Sequence, residues 1–336
     1  MNILLTGGAG YIGSNVALAL IRDGYEVVIL DNLSNSSIQV IYDLQDFSKK
    51  NIKFFKANIA DTDFVRNLLK KFKIKAVLHL AGLKSVEDSV TNPLNYYINN
   101  VSGSLSLLGA MKSEGVKNII FSSSATVYGE PTYLPCDESH PVNPANAYGR
   151  TKIIIEKALG DLYLSDPAWN AISLRYFNPV GADQSKHFGE NPNQPPNNLM
   201  PLIVKVGSGQ VKKLSVFGDD YPTRDGTGER DFIHVSDIAD GHVSALKLVL
   251  RGSGFNEVIN LGTGKSTTVL EMIKTFERVN KITIPYNILE RRKGDLGICY
   301  ANPEKAGRIL NWIAKRSISE MCESSWADHL RRNGLI

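Results

Sequence analysis

Tyr148 and Lys152 stand four residues apart in Tyr148-Gly149-Arg150-Thr151-Lys152, a spacing that puts both side chains on one face of a helix about a turn apart. An ammonium so placed lowers the pKa of a phenol and makes Tyr148 a proton-transfer group near neutral pH. Upstream, Phe121-Ser122-Ser123-Ser124-Ala125-Thr126-Val127-Tyr128-Gly129 lies where a fifth strand should end and supplies hydroxyls to bind a substrate oxygen. Ser124 is the first candidate by spacing and Thr126 the second. Such a serine cluster is a polar turn on its own; Tyr148 and Lys152 give it chemical meaning. Near the N-terminus, Gly7-Gly8-Ala9-Gly10-Tyr11-Ile12-Gly13 satisfies both GxxGxxG and GxGxxG. Glycines here permit a tight turn, close approach of a pyrophosphate and close helix–strand packing, with the phosphates at the positive end of a helix. Asp31, at the end of a second strand, can accept both ribose hydroxyls and would repel a 2′-phosphate, so NAD is favoured over NADP. Together these residues point to hydride chemistry at a sugar or alcohol carbon.

The elements that must position them follow a strand–helix alternation. Ile3–Thr6, Val27–Asp31, residues 52–57, Ala76–Ala81, Asn118–Ser122 and Ala171–Tyr176 read as strands. Residues 14–23, 37–49, 63–72 and 99–114 read as helices. This order, with nearly all-apolar strands, predicts an α/β fold: a Rossmann-type, doubly wound parallel sheet covered on both faces. Regularity breaks in residues 181–230, which are rich in Asn, Pro, Gly and Asp; the run 191–198 is the extreme case. Residues 231–250 then read as a strand and a helix, and Val258–Leu261 as another strand. The expected organisation is a cofactor domain over 1–180, a smaller C-terminal α/β substrate domain over 181–336, and segments near 231–262 returning to the first.

Composition bounds the partners. The chain has 336 residues, 43% apolar and 21% charged, with a formal net charge of +4 and scattered Lys and Arg. Nucleic acid is a poor default partner, and an anionic small molecule fits. No apolar run reaches the ~20 residues of a membrane span. The first residues run straight into a strand, which leaves no room for a signal peptide and predicts a cytoplasmic protein. Cys136, Cys299 and Cys322 show no CxxC, so a disulfide framework or metal site is not expected; Cys136 and Cys322 read as plain reduced thiols.

The chain resembles the UDP-glucose (UDP-galactose) 4-epimerases among the extended short-chain dehydrogenase/reductases, essentially from end to end. Besides the glycine loop, the serine run and the Tyr–Lys pair, the matching motifs are Leu80-Ala81-Gly82-Leu83-Lys84, Arg175-Tyr176-Phe177-Asn178-Pro179-Val180-Gly181, Asn197-Asn198-Leu199-Met200-Pro201, residues 225–235 and residues 291–296. The resemblance implies that Tyr148, as phenolate, takes the proton of the sugar 4-hydroxyl while hydride passes from C4 to tightly held NAD. The 4-keto sugar then turns over and hydride returns to its other face. Lys152 would hold the nicotinamide ribose and Ser124 the reacting oxygen. It further implies cofactor contacts from Gly7, Gly10, Tyr11, Ile12, Gly13, Asp31, Asn32, Asn35, Asn58, Ile59, Leu80, Ala81, Gly82, Lys84, Asn99, Ser122, Tyr148, Lys152 and Tyr176. Lys84, Ser124, Thr126, Tyr148, Phe177, Asn178, Asn198, Leu199 and Asp295 would serve the sugar and phosphates. Leu214, Val216 and Phe217 would cover uracil, and Arg230 and Arg292 would grip the pyrophosphate, for which guanidinium is suited. Family members commonly form homodimers, here through helices 99–114 and 149–163 in a four-helix bundle, and serve galactose catabolism or surface-polysaccharide synthesis. His234 carries no expected chemical role.

Two positions depart from the family pattern. Ala57-Asn58-Ile59 stands where many members carry an Asp-Ile pair at adenine; an amide oxygen can still accept from the adenine amine. Cys299 stands where members restricted to UDP-glucose and UDP-galactose often place Tyr. The smaller thiol leaves volume for a 2-acetamido group and predicts use of UDP-GlcNAc and UDP-GalNAc as well; the alternative is a thiol that merely fills a gap in an epimerase restricted to UDP-glucose and UDP-galactose. Dehydratases of this fold carry Asp-Glu after the active-site Thr, which this chain lacks.

Overall fold

The computed structural model describes residues 1–185, 187–191, 198–292 and 294–336, so most of the Asn/Pro run, Asn197 of the motif 197–201 and Lys293 of the motif 291–296 lie outside the described residues. In chain order the strands of the first half are β1 (Asn2–Thr6), β2 (Glu26–Asp31), β3 (Lys53–Lys56), β4 (Ala76–His79), β5 (Asn118–Ser124) and β6 (Asn170–Tyr176). They are followed by β7 (Asn178–Val180), β8 (Leu214–Phe217), β9 (Glu229–Arg230), β10 (Phe232–His234) and β11 (Phe255–Leu261). The last are β12 (Thr267–Thr268), β13 (Tyr286–Leu289) and β14 (Ile298–Cys299). The helices are α1 (Tyr11–Arg22), α2 (Ile38–Ser48), α3 (Thr62–Lys71), α4 (Val86–Thr91), α5 (Pro93–Tyr96), α6 (Gly103–Ser113) and α7 (Ala147–Ser165). They continue as α8 (Leu199–Gly207), α9 (Val235–Val249), α10 (Val269–Asn280), α11 (Glu304–Leu310) and α12 (Ile318–Arg332).

Seven parallel strands form the central sheet in the order β11-β6-β5-β4-β1-β2-β3. The order reverses direction at β1, the switch point where open α/β sheets bind their ligands. Strand alternation sorts the apolar side chains to two faces. Ile3 and Leu5 face one way with Val16, Leu20, Ile238 and Leu246 of α1 and α9. Leu4 faces the other with Leu69, Leu107, Ile155 and Leu159 of α3, α6 and α7. A third apolar cluster joins α8, α10 and α12 to β8 through Ile203, Phe276, Met321 and Val216.

Residues 181–230 depart from the loop-rich expectation: α8 and β8 form there, because Met200, Ile203, Val204 and Val206 recur at helical spacing and find the α10–α12 surface. The helix expected over 99–114 begins instead with a π-helical turn, Tyr97–Ser102, before α6. Strand β5 runs two residues past its expected end and carries Ser123 and Ser124 within the sheet.

Candidate active site

The glycine loop forms the N-terminus of α1. Gly7 has a φ of +72°, and a Cβ on it would lie 2.6 Å from the Ala81 nitrogen. A Cβ on Gly13 would stand 2.1 Å from the Gly7 carbonyl oxygen, so the helix approaches the loop as only glycine allows. Gly10 caps α1 with no side chain bonded to the first-turn amides and no acidic residue in that turn. This positive helix end is free for an anion, worth about 0.3–1 kcal/mol at an exposed site. The cradle therefore fits a dinucleotide pyrophosphate. Asp31 braces it: its carboxylate accepts from the amides of Ala9 (3.1 Å) and Leu33 (2.8 Å) and from the Ser36 hydroxyl (3.1 Å). These bonds fix the carboxylate at the end of β2, where the two ribose hydroxyls are expected.

The remaining cofactor candidates divide by what they already do. Tyr11 donates its hydroxyl to the Gly181 carbonyl at 2.7 Å. Ile12 packs against the sheet core, and Leu80, Ala81 and Gly82 follow β4 beside the loop. Asn32 and Asn35 are exposed on the loop after β2, and the Asn32 carbonyl oxygen caps the Ser34 amide. The Asn58 oxygen already accepts from the Ala60 amide at 2.9 Å. Ile59 is buried against Gly103, so any ligand contact from it is a backbone one. Tyr176 shares a 2.6 Å hydrogen bond with His242 of α9, which commits its phenol to the sheet's other face. Asn99, half-buried, donates to Asn100.

The Asn146 side chain caps α7 by accepting from Gly149 at 2.9 Å, and this first turn carries Tyr148. A Cβ on Gly149 would lie 2.9 Å from the Thr126 carbonyl, so the turn is seated against the end of β5. There the Ser124 and Thr126 hydroxyls bond each other, and Ser124 reaches Tyr148. Lys152 is buried, donates to the Ser122 carbonyl at 2.7 Å, and has its ammonium 5.5 Å from the Tyr148 ring centre. The electrostatics differ from the sequence expectation. Burial pushes the Tyr148 phenol above its ordinary value and the Ser124 hydrogen bond pulls it back; the ammonium points at the carbonyl rather than at the phenol. Burial also lowers Lys152 to about 8.

On the far side, Lys84 and Asn198 meet at one carboxylate, Glu190, at 2.7 and 2.8 Å, with Leu199 opening α8 beside them. Asn178 is exposed at the start of β7. The Arg292 guanidinium lies 4.6 Å over the Phe217 ring and is held by Asp295 at 2.9 Å. Arg230, bonded to the Glu229 carbonyl at 2.8 Å, is close enough to Arg292, Asp295 and Cys299 to feel each of their charges. Leu214 and Val216 are a correction. Alternation along β8 turns both into the third core cluster, so only Phe217 of the expected uracil cover presents a side chain outward.

Residues 4–325 match the family model described as GDP-mannose 4,6 dehydratase. A UDP-glucose 4-epimerase from Bacillus subtilis (strain 168) is 50% identical over 326 residues, covering 97% of this chain and 96% of that protein. The chain belongs to the UDP-glucose 4-epimerase family. Among solved structures of the family, that of the Stenotrophomonas maltophila UDP-glucose-4-epimerase, with bound NAD and formylated UDP-arabinopyranose, superposes with a TM-score of 0.97. It is 43% identical and covers 99% of both chains. The UDP-Glc/GlcNAc 4-epimerase from Campylobacter jejuni superposes with a TM-score of 0.85 at 34% identity, covering 98% of this chain and 99% of that one.

Several residues of the site carried no recognised signal in the sequence. Asn100, set by the π-helical turn, clamps Leu83 through both its amide and carbonyl groups (2.8 and 3.0 Å) and so fixes the Gly82–Lys84 loop. Cys136, read as a plain thiol, adjoins Cys299: its amide donates to the Tyr300 carbonyl at 2.9 Å, and both thiols share an apolar cluster with Phe177 and Leu296. His234 caps α9 and meets Ser324, a structural place. Among the described residues no group of His, Cys, Asp and Glu is arranged to hold a metal, and no helix is long and apolar enough to cross a membrane.

Proposed function

We propose that this chain interconverts UDP-galactose and UDP-glucose by oxidation and re-reduction at C4 of the hexose. The observation that carries the reading is the seating of Tyr148 and Lys152 on one face of α7 against Ser124 at the end of β5. NAD is the cofactor; when bound, it would accept hydride from C4 and give it back. Its holders would be the Gly7–Gly13 cradle, Asp31 and Lys152. Tyr148 takes the proton from the 4-hydroxyl and later returns it, and Ser124 steadies the oxygen while its bond order changes. Buried Lys152 counters the charge of the phenolate. Arg230 and Arg292, with Phe217 beneath the second, hold the nucleotide diphosphate so that only the hexose turns. The cofactor part is residues 1–180 with β10 to β11; the rest forms the substrate part.

A 4,6-dehydratase, the reaction in the family model's description, is disfavoured by one observation. Where dehydratases of this fold carry Asp-Glu, the chain reads Ser124-Ala125-Thr126, with no carboxylate. Elimination of water from the sugar would lack its acid–base pair. Substrate range extends to UDP-GalNAc and UDP-GlcNAc, because Cys299 and Cys136 line with small thiols a wall that includes Phe177.

The working form is a homodimer. Val90, Leu94, Ile98, Leu105 and Ile154 are exposed at 38–67% along α4 to α7, an apolar face that two copies would cover.

Feeding UDP-galactose to the purified chain without added NAD should yield UDP-glucose, and denaturing the same preparation should release about one NAD per chain. Accumulation of a free 4-keto product would overturn the reading.

A further inference from the structure

Glu156 follows Lys152 by one more turn of α7, on the same face. Its carboxylate accepts the two-pronged grip of Arg175 at 3.0 and 2.7 Å and the Ser123 hydroxyl at 2.5 Å, with both charged groups buried. Ser123, Arg175 and Asn260 are register partners on β5, β6 and β11, so they form one polar row across the sheet beneath α7. The row continues through Tyr128, whose ring lies 4.8 Å under the guanidinium and whose hydroxyl donates to Asn260 at 2.6 Å. Asn260 in turn donates to the Cys136 carbonyl at 3.0 Å.

A buried ion pair is a poor stabiliser, since well-packed apolar groups usually do as well. Beyond Glu156, the Arg175 guanidinium meets only the Tyr128 ring and phenol, a poor match for its remaining donors. Its place beside the catalytic residues supplies another account. We propose that Glu156, fixed by Arg175 and Ser123, is the positioning residue that keeps Lys152 a cation at working pH.

Burial draws Lys152 toward neutrality, and Glu156 is the charge that opposes it. The other titratable groups facing this part of α7 are neutral near pH 7. His79 of β4 is lowered to about 3 by burial and Tyr148 of α7 is raised by burial; Tyr176 of β6, also raised by burial, turns its phenol to the sheet's other face. Phe121 offers Lys152 only its ring, at 4.9 Å. Removing the Glu156 anion therefore lowers the pH at which Lys152 loses its proton.

The proposal rests on the proton-transfer reading of Tyr148 and Lys152, and the test separates the two. Glu156→Gln/Arg175→Met removes both charges while the amide oxygen still accepts from Ser123. The alkaline limb of kcat for UDP-galactose should move down by about one pH unit, with KM within about twofold of the parent. Labelling of Lys152 by reductive methylation, followed by mass spectrometry on the same preparation without substrate, should show its half-labelling pH moving by the same amount. Glu156→Gln alone gives a second route, because it removes the anion and leaves Arg175 as a further cation, so the limb should again move down. Unmoved limb and labelling curves in a folded variant would overturn the proposal, as would a rise in KM at constant kcat. If UDP-galactose is not turned over by the parent chain, the epimerase reading fails, while the labelling curve still decides the role of Glu156.

Discussion

At the scale of single residues, the site divides into groups that react and groups that make room. On the proposed mechanism, Tyr148, Lys152 and Ser124 belong to the first kind and Cys299 to the second. Cys299 is buried beside Arg230, its register partner, and packs with Cys136 and Phe177. A phenol at this position has to enter space now filled by two thiols and the path of the sugar. Cys299→Tyr should therefore cut kcat/KM for UDP-GalNAc at least tenfold, about 1.4 kcal/mol of transition-state binding, while that for UDP-galactose stays within about threefold. Paired kinetics on one preparation decide it; equal loss on both sugars would remove pocket volume as the cause. The candidate residues that the fold brings together were legible in the sequence because their spacing is local: a pair four positions apart in one helix, or a glycine loop within seven. The partners that tune them were not. Glu156 and Arg175 are 19 positions apart, Lys84 and Glu190 are 106, and only the folded sheet brings them together.

At the scale of elements, α7 carries both Tyr148 and Lys152, so the proposed mechanism depends on its placement. Its first turn is set by the Asn146 cap and by the close seating of Gly149 on the end of β5. Asn146→Ala frees the Gly149 amide and should cost about 1 kcal/mol of stability, read as a fall in Tm. Because Tyr148 lies in that turn, kcat should fall several-fold with KM little changed, and Asn146→Asp should restore both. A lowered Tm with unchanged kcat would show that the turn holds its place without the cap. Strand–helix alternation made the parallel sheet readable from the sequence, while this helix was signalled by the four-residue spacing of Tyr148 and Lys152. Three features escaped it for identifiable reasons. The π-helical turn Tyr97–Ser102 has no distinct hydrophobic period, so it read as ordinary helix. Helix α8 was masked by the turn-forming residues around it, although its own apolar spacing is regular. The inward facing of Leu214 and Val216 depends on which side of β8 meets α10 and α12, and the sequence of β8 alone does not contain that.

At the scale of the whole molecule, the cofactor cradle, the catalytic helix and the exposed apolar face are linked through one short stretch of chain. Leu94 stands just before the π-helical turn and Ile98 within it, exposed at 67% and 57%. Within that turn Asn100 holds Leu83 and donates to Thr151 of α7 at 3.3 Å. A second copy covering Leu94 and Ile98 would thus brace, from outside, the turn that positions both the Gly82–Lys84 loop and the helix of Tyr148. Leu94→Lys/Ile98→Lys places two charges in that interface, where each unpaired buried charge costs roughly 3–5 kcal/mol. Sedimentation should show a monomer at concentrations where the parent chain is a dimer. The coupling through Asn100 also predicts a lower kcat for the monomer, with the Gly7–Gly13 cradle still retaining NAD because its brace, the Asp31 carboxylate on the Ala9 amide, does not run through Asn100. A variant that remains dimeric would place the interface elsewhere. A monomer of full activity would instead confine the role of the apolar face to assembly, and leave Asn100 sufficient to hold the turn from within.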